Sequence, residues 1–199
     1  AISALSPGDS VLLQGCCHNP LGADFDAAQW AALAKACADA HVVPFVDVAY
    51  LGFGDGLEQD AAGVRHILAS VPNVVVALSG AKSFGVYRER VGALYVKAAP
   101  EAATAVQSNL YALARTNYSM PPDHGAACVR TVLADPALRK LWADELEGIR
   151  QHMLKTRAAL AASRVNALPM QLIARQKGMF STLPLSLAQI ETLRNAYGI

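Results

Sequence analysis

Three apolar runs, each ending in a small polar turn, organise the first half of the chain: Ser10 to Cys16, Val42 to Val48 and Val74 to Leu78. Short runs rich in Val and Leu, without polar alternation, predict buried strands. Between the first two, Trp30, Leu33, Ala34 and Cys37 are apolar at i, i+3, i+4 and i+7, which predicts an amphipathic helix over 27–40. Asp26 and Gln29 stand ahead of it at capping-box spacing. Val64, Ile67, Leu68 and Val71 predict the buried side of a second helix. Strand, helix and strand, in that order, is the signature of a parallel crossover. Pro44 marks a strand start or a bulge in the second run.

Further on, Val91 to Val96 repeats the apolar pattern, and a helix is predicted from roughly Ala102 to Arg115 with Val106, Leu110 and Leu113 inward. Tyr118 to Pro122 must form a non-helical corner, because two prolines forbid helix interior. A short helix runs to about Leu133. Asp135-Pro136 opens a long one, to about Ala162, with Leu138, Leu141, Trp142, Ile149, Met153 and Leu160 inward. The remainder reads as a strand from Asn166 onward, a turn at Gly178-Met179-Phe180, and a helix from Ser186 to Tyr197. The fold class is α/β. The length of the helix over 137–162 suggests that it joins two domains.

Composition narrows the functional classes. Of 199 residues, 53% are hydrophobic and 17% charged, and the formal net charge is +1. That describes a globular chain with no electrostatic footprint for nucleic acid or an anionic membrane. No apolar run is long enough to span a bilayer, and no charged-then-apolar segment opens the chain. Cys16 and Cys17 are adjacent, which is wrong for a C-x-x-C metal or redox motif; with Cys37 and Cys128 they read as reduced thiols of a cytoplasmic protein. The chain opens at Ala1 without a methionine and closes at Ile199 where a strand is expected, so both ends read as cut.

The candidate chemistry sits just past the strand ends. Asn19, Asp47, Tyr50, Ser79 and Lys82 all fall there, and in an open parallel sheet that edge is where ligands bind. Asp47 has apolar neighbours on both sides, a costly place for a carboxylate without a partner. Lys82 follows the tight turn Ser79-Gly80-Ala81 at the end of a buried strand. Burial there would penalise its ammonium and favour the free amine that Schiff-base chemistry needs. The Ala81-Lys82-Ser83 tripeptide is not the tail of a nucleotide-binding loop, since Ala81 stands where a Gly must precede the lysine.

Taken together, these motifs resemble the class I aminotransferases of pyridoxal-phosphate fold type I, and within them the aspartate and aromatic-amino-acid branch. The resemblance rests on His18-Asn19-Pro20-Leu21-Gly22, on Asp47 to Phe53, on Ser79 to Gly85 and on Tyr87 to Gly92. It continues through Arg115 to Ser119, Pro121-Pro122 and Gly178 to Ser181, so it runs along nearly the whole chain. It implies the later half of that fold's large domain, with a mainly parallel sheet and flanking helices, followed by the start of the small domain.

The resemblance implies roles residue by residue. Lys82 would hold pyridoxal 5'-phosphate as a Schiff base and then shuttle a proton. Asp47 would pair with the pyridinium nitrogen, and Tyr50 and Asn19 with the ring's phenolic oxygen. Ser79 and Arg90 would hold the phosphate, Arg90 by a planar fork that lysine cannot reproduce. Arg115 would reach a substrate carboxylate in the neighbouring subunit of a homodimer, although an arginine there can equally cap its own helix. Phe180 would lie near the substrate, or else in the core, and His18 reads as a packing residue. Amino-acid and 2-oxo-acid substrates follow, with Leu21 leaning toward the aromatic branch. Leu21, Ala81 and Gln14 depart from the family's usual Thr, Ser and His. Other parts of the family's site fall outside these residues. The expectation is therefore a segment that does not transaminate efficiently by itself and exposes a strand edge and apolar surface.

Overall fold

The computed structural model describes residues 2–165 and 168–199. Strands β1 (Ser10–Gln14), β2 (Val43–Val48) and β3 (Val74–Ser79) run parallel, and β4 (Gly92–Lys97) adds antiparallel to β3. The order in the sheet is β1-β2-β3-β4. The parallel links are made by α1 (Ala27–Asp39) and α2 (Leu57–Ser70). Helix α1 begins where its capping box predicts. Asp26 accepts the Gln29 N–H at 2.8 Å, and the Gln29 side chain accepts the Asp26 N–H at 2.9 Å.

Helices α1 and α2 pack against each other and against one face of the sheet. Close approach is possible because position 63 is glycine: a Cβ there would overlap the Trp30 indole. Leu13, Val46, Val48, Val74 and Val76 point into this core with Trp30, Cys37, Val64 and Ile67. Alternate residues point the other way, as the two-residue period of a strand requires. On that opposite face Leu12, Phe45, Leu94 and Val96 are exposed among the described residues. No described element covers the sheet on this side, so the burial expected of these strands holds on the face beneath α1 and α2, while apolar surface is exposed on the other, as expected.

Downstream come α3 (Ala103–Tyr118), α4 (His124–Ala134) and α5 (Pro136–Ala162). Helix α3 buries no residue, and Leu113, expected inward, is 61% exposed. Asp135 caps α5 by accepting the N–H groups of Ala137 and Leu138. The inner stripe of α5 differs from the predicted one. Trp142, Leu146, Arg150, Met153 and Arg157 form it, whereas Leu138, Leu141, Ile149 and Leu160 are exposed. Apolar residues occupy two sides of this helix, and periodicity alone does not choose between them.

Asn166, where a strand was expected to begin, lies outside the described residues. The residues that follow form a tight 3-10 turn, Met170–Arg175, instead of a strand. Met170 and Ile173, three apart, fall on one side of that turn and are buried beside α5. The chain ends with α6 (Leu187–Thr192), capped by Ser186 and continued as a wider π turn through Tyr197. Among the described residues no helix is long and apolar enough to cross a membrane.

Candidate active site

Asp47 lies near the C-terminal end of β2, with Gln14 of β1 and Ala77 of β3 beside it in register. It is half-buried and lies on the face away from α1 and α2. Asp47, Ala77, Ser79, Ala81, Arg90 and Gly92 line one pocket of about 220 Å³. Ser79 Oγ accepts the Ala81 N–H at 3.2 Å, which leaves its own proton to donate elsewhere. Arg90 has a left-handed backbone, φ 51°, unusual for a residue with a Cβ. Its guanidinium is exposed and donates to the Tyr87 carbonyl at 3.4 Å, so among the described residues most of its donors have no partner.

A second group joins this pocket through the Ser79-Gly80-Ala81 turn. The lysine loop is fixed on both sides of Lys82. Ala81 and Ser83 are buried, Ser83 Oγ donates to the Leu51 carbonyl at 2.8 Å, and Trp142 Nε1 donates to the Ser83 carbonyl at 2.7 Å. Phe84 stacks on Trp142 with centroids 4.4 Å apart. Lys82 itself is half-buried, less than expected, and its Nζ lies 5.0 Å from the centroid of the Tyr50 ring. Tyr50 is buried, and its hydroxyl oxygen accepts from Asn19 Nδ2 at 3.3 Å. The phenol proton therefore remains free to donate. Phe180 meets Tyr50 edge-on, with centroids 5.7 Å apart.

Asn19 is held by a residue whose part was not legible in the sequence. Gln14 Oε1 accepts the Asn19 N–H at 2.8 Å, and Gln14 Nε2 donates to the Asn19 carbonyl at 3.1 Å. His18 serves the same turn: its N–H donates to Asp24, and Nδ1 accepts the Leu21 N–H at 3.4 Å. Arg115 is not brought to this group. It is exposed in the last turn of α3, and among the described residues its side chain makes no hydrogen bond or ion pair.

A larger cavity, about 440 Å³, is lined by Trp30, Asp24, Asp55, Asp60, His66 and Lys177 among others. Its carboxylates are already used. Asp60 accepts the N–H groups of Gly52, Gly54 and Asp55 at 2.9, 3.0 and 2.7 Å. Asp55 pairs with Lys177, and Asp24 takes the His18 N–H. Burial raises the Asp60 pKa against the pull of those three donors. Cys16, Cys17 and Asp60 lie close together, but a hydrogen bond from Cys16 and burial push the Cys17 thiol up, which keeps it protonated and a poor metal ligand.

The chain matches the family model "Aminotransferase class I and II" over residues 1–199. It is 50% identical to a tyrosine aminotransferase of Rhizobium meliloti (strain 1021), covering all of this chain and 52% of that protein. Identity to an aromatic-amino-acid aminotransferase of Paracoccus denitrificans is 43%, covering 100% of this chain and 51% of the relative. Other relatives are named aspartate aminotransferase. Among solved structures, an aromatic-amino-acid aminotransferase of Burkholderia pseudomallei, covalently bound to pyridoxal phosphate, superposes with a TM-score of 0.90 at 42% identity. That match covers all of this chain and 51% of the other. The chain thus spans about half the length of the relatives it matches. Its mostly parallel sheet with flanking helices is that of pyridoxal-phosphate fold type I. From family model, sequence and fold alike, the chain belongs to the class I and II aminotransferases.

Proposed function

We propose that these residues form the cofactor half-site of a pyridoxal-phosphate-dependent aminotransferase. It would move an amino group between an aromatic amino acid or aspartate and 2-oxoglutarate. One observation carries this reading: Asp47, Ser79 and Arg90 border a single pocket, and the turn from Ser79 delivers Lys82 to the face of Tyr50. The donor set fits the cofactor. A carboxylate suits a protonated ring nitrogen, a hydroxyl and a guanidinium suit a phosphate, and a phenol with a free proton suits the ring oxygen.

When bound, the cofactor supplies a carbonyl carbon for an amine and a ring that accepts an electron pair. The chain's residues do the rest. Lys82 Nζ would anchor the cofactor, and its amine would be the base that takes a proton from the substrate Cα. The Asp47 carboxylate holds the proton on the ring nitrogen. Tyr50 Oη donates to the phenolic oxygen while Asn19 Nδ2 fixes the phenol's orientation. Ser79 Oγ and the free donors of Arg90 bind phosphate. Phe180 and Tyr50 wall the substrate side. Arg115 is assigned to the neighbouring subunit of a homodimer, where it meets a substrate carboxylate. We place the protein in the cytoplasm, and we take residues 1–136 as part of the large domain, 137–162 as the interdomain helix and 163–199 as part of the small domain.

Absorbance titration with pyridoxal phosphate tests the reading. A saturable new band is expected, lost in Lys82→Ala and weakened in Arg90→Lys. Absorbance that rises without saturation, equally in all three proteins, would contradict it. A second reading, that this chain alone is catalytically incomplete, is favoured by the bare sheet face and by α3, which buries nothing. Absent turnover of tyrosine with 2-oxoglutarate, alongside a saturable band, distinguishes it.

A further inference from the structure

Arg157 is buried, 8% exposed, in the inner stripe of α5. Among the described residues it has no carboxylate partner within ion-pair distance, and its Nη1 has no hydrogen-bond partner. Burial lowers its pKa, opposed by the nearby Cys17. An unpaired buried guanidinium is costly, and an apolar side chain of similar length would pack there at less cost. What the guanidinium contributes is a clamp on one turn. Nη2 donates to the carbonyls of Gly178 and Phe180, and Nε donates to Ser181 Oγ at 3.3 Å.

That turn is already pressed onto the large domain. Gly178 has φ +81°, and a Cβ there would overlap Cys17. Its flanks are tied to the turn that carries Asn19: the Lys177 N–H donates to the Gly22 carbonyl at 2.7 Å, and Thr182 Oγ1 donates to the Pro20 carbonyl at 2.9 Å. Between those ties Tyr87 Oη reaches Met179 Sδ at 4.0 Å, and among the described residues Arg157 is the side chain that donates to the Gly178 and Phe180 carbonyls and so fixes where Phe180 points. Phe180 in turn sets the edge against which the Tyr50 ring rests, and Tyr50 carries Lys82 on its face.

We infer that Arg157 is a positioning residue for the cofactor half-site, acting from the long helix through Phe180 on Tyr50. The inference rests on the cofactor reading only for its effect on the bound ring; the Arg157–Phe180–Tyr50 linkage stands without it. Lysine cannot replace arginine here, because one ammonium on a flexible stem does not span two carbonyls and a hydroxyl held in a plane.

The test uses the full chain and the variants Arg157→Met, Arg157→Lys, Phe180→Leu and the Arg157→Met/Phe180→Leu double. Without cofactor, NMR of ring-labelled protein reads the Tyr50–Phe180 cross-peak. With cofactor, a pH titration reads the midpoint of the bound cofactor's absorbance. Arg157→Met should lose the cross-peak and move the midpoint by about one pH unit, and Arg157→Lys should recover little of either. The double variant should move the midpoint no further than Phe180→Leu alone. A folded Arg157→Met that keeps the cross-peak, or a double variant whose shifts add, would overturn the inference. Should Arg157→Met fail to fold, a Phe180→Leu midpoint equal to wild type overturns it alone. A wild type without a saturable band would sink the cofactor reading, and the cross-peak would still decide the linkage.

Discussion

On the face of the sheet beneath α1 and α2, Leu13, Val46, Val74 and Val76 are buried and close-packed. On the other face Leu12 is 69% exposed, Leu94 is 47% exposed, and Gln14, Asp47 and Ala77 form a half-buried row between them. The same strands supply both faces, alternating residue by residue. A purely apolar core has no place for an unpaired carboxylate, and the proposed function accordingly assigns the Asp47 chemistry to the face that the helices leave free. Stability should therefore track the covered face, and ligand binding the open one.

That separation can be broken experimentally. The largest effect is expected at the helix contact: Gly63→Val drives a branched side chain into Trp30 and should cost about 3 kcal/mol or more. Urea unfolding reads it as a lowered midpoint or a lost cooperative transition. Next, Val46→Ala, fully buried, should cost about 2 kcal/mol, whereas Leu12→Ala on the open face should stay within roughly 0.5 kcal/mol. Similar losses at the two sites would erase the distinction between the faces. Third, Asp47→Asn should leave the unfolding midpoint within about 1 kcal/mol of wild type while raising the cofactor dissociation constant about tenfold or more. Titration calorimetry and unfolding on one preparation check both halves.

The smallest effect concerns the approach to Arg90. His124 Nδ1 lies 2.8 Å from Glu89 Oε2, and that hydrogen bond raises the His124 pKa above 6.5. Its contribution is fully present below the ordinary imidazole value and is lost as pH rises through the raised one. The His124 ring-proton shift should therefore titrate late, and Glu89→Gln should move it back down. His124 is open to solvent and Glu89 half-buried, so the effect on overall stability should be slight.

How much of this was legible in the sequence depends on how local each cause is. The capping box at Asp26, the stop at Asp135-Pro136 and the three apolar strands depend on neighbours in the chain, and they stand where predicted. Asp47 and Ser79, expected just past strand ends, instead lie within the last residues of β2 and β3, and Lys82 follows β3; the sheet edge was legible because a polar residue closing an apolar run is itself a local signal. Arg157 gave no such signal: an arginine in a helix reads as solvated, and its acceptors arrive more than twenty positions later. The inner side of α5 differs from the expected one for the same reason, since the choice between two apolar stripes is made by Phe84, which stacks on Trp142, and by the Met170–Arg175 turn. Gln14 looked like a departure at one family position. In space it holds the backbone of Asn19 from both sides.

The most direct measurement is where the cofactor attaches. The chain is equilibrated with pyridoxal phosphate at a concentration that saturates the absorbance band, reduced with borohydride, and mapped by peptide mass spectrometry. The account predicts one reduced pyridoxyl group, on Lys82, with the other lysines unlabelled. Label spread over Lys35, Lys140, Lys155 and the rest, with no preference for Lys82, would contradict it.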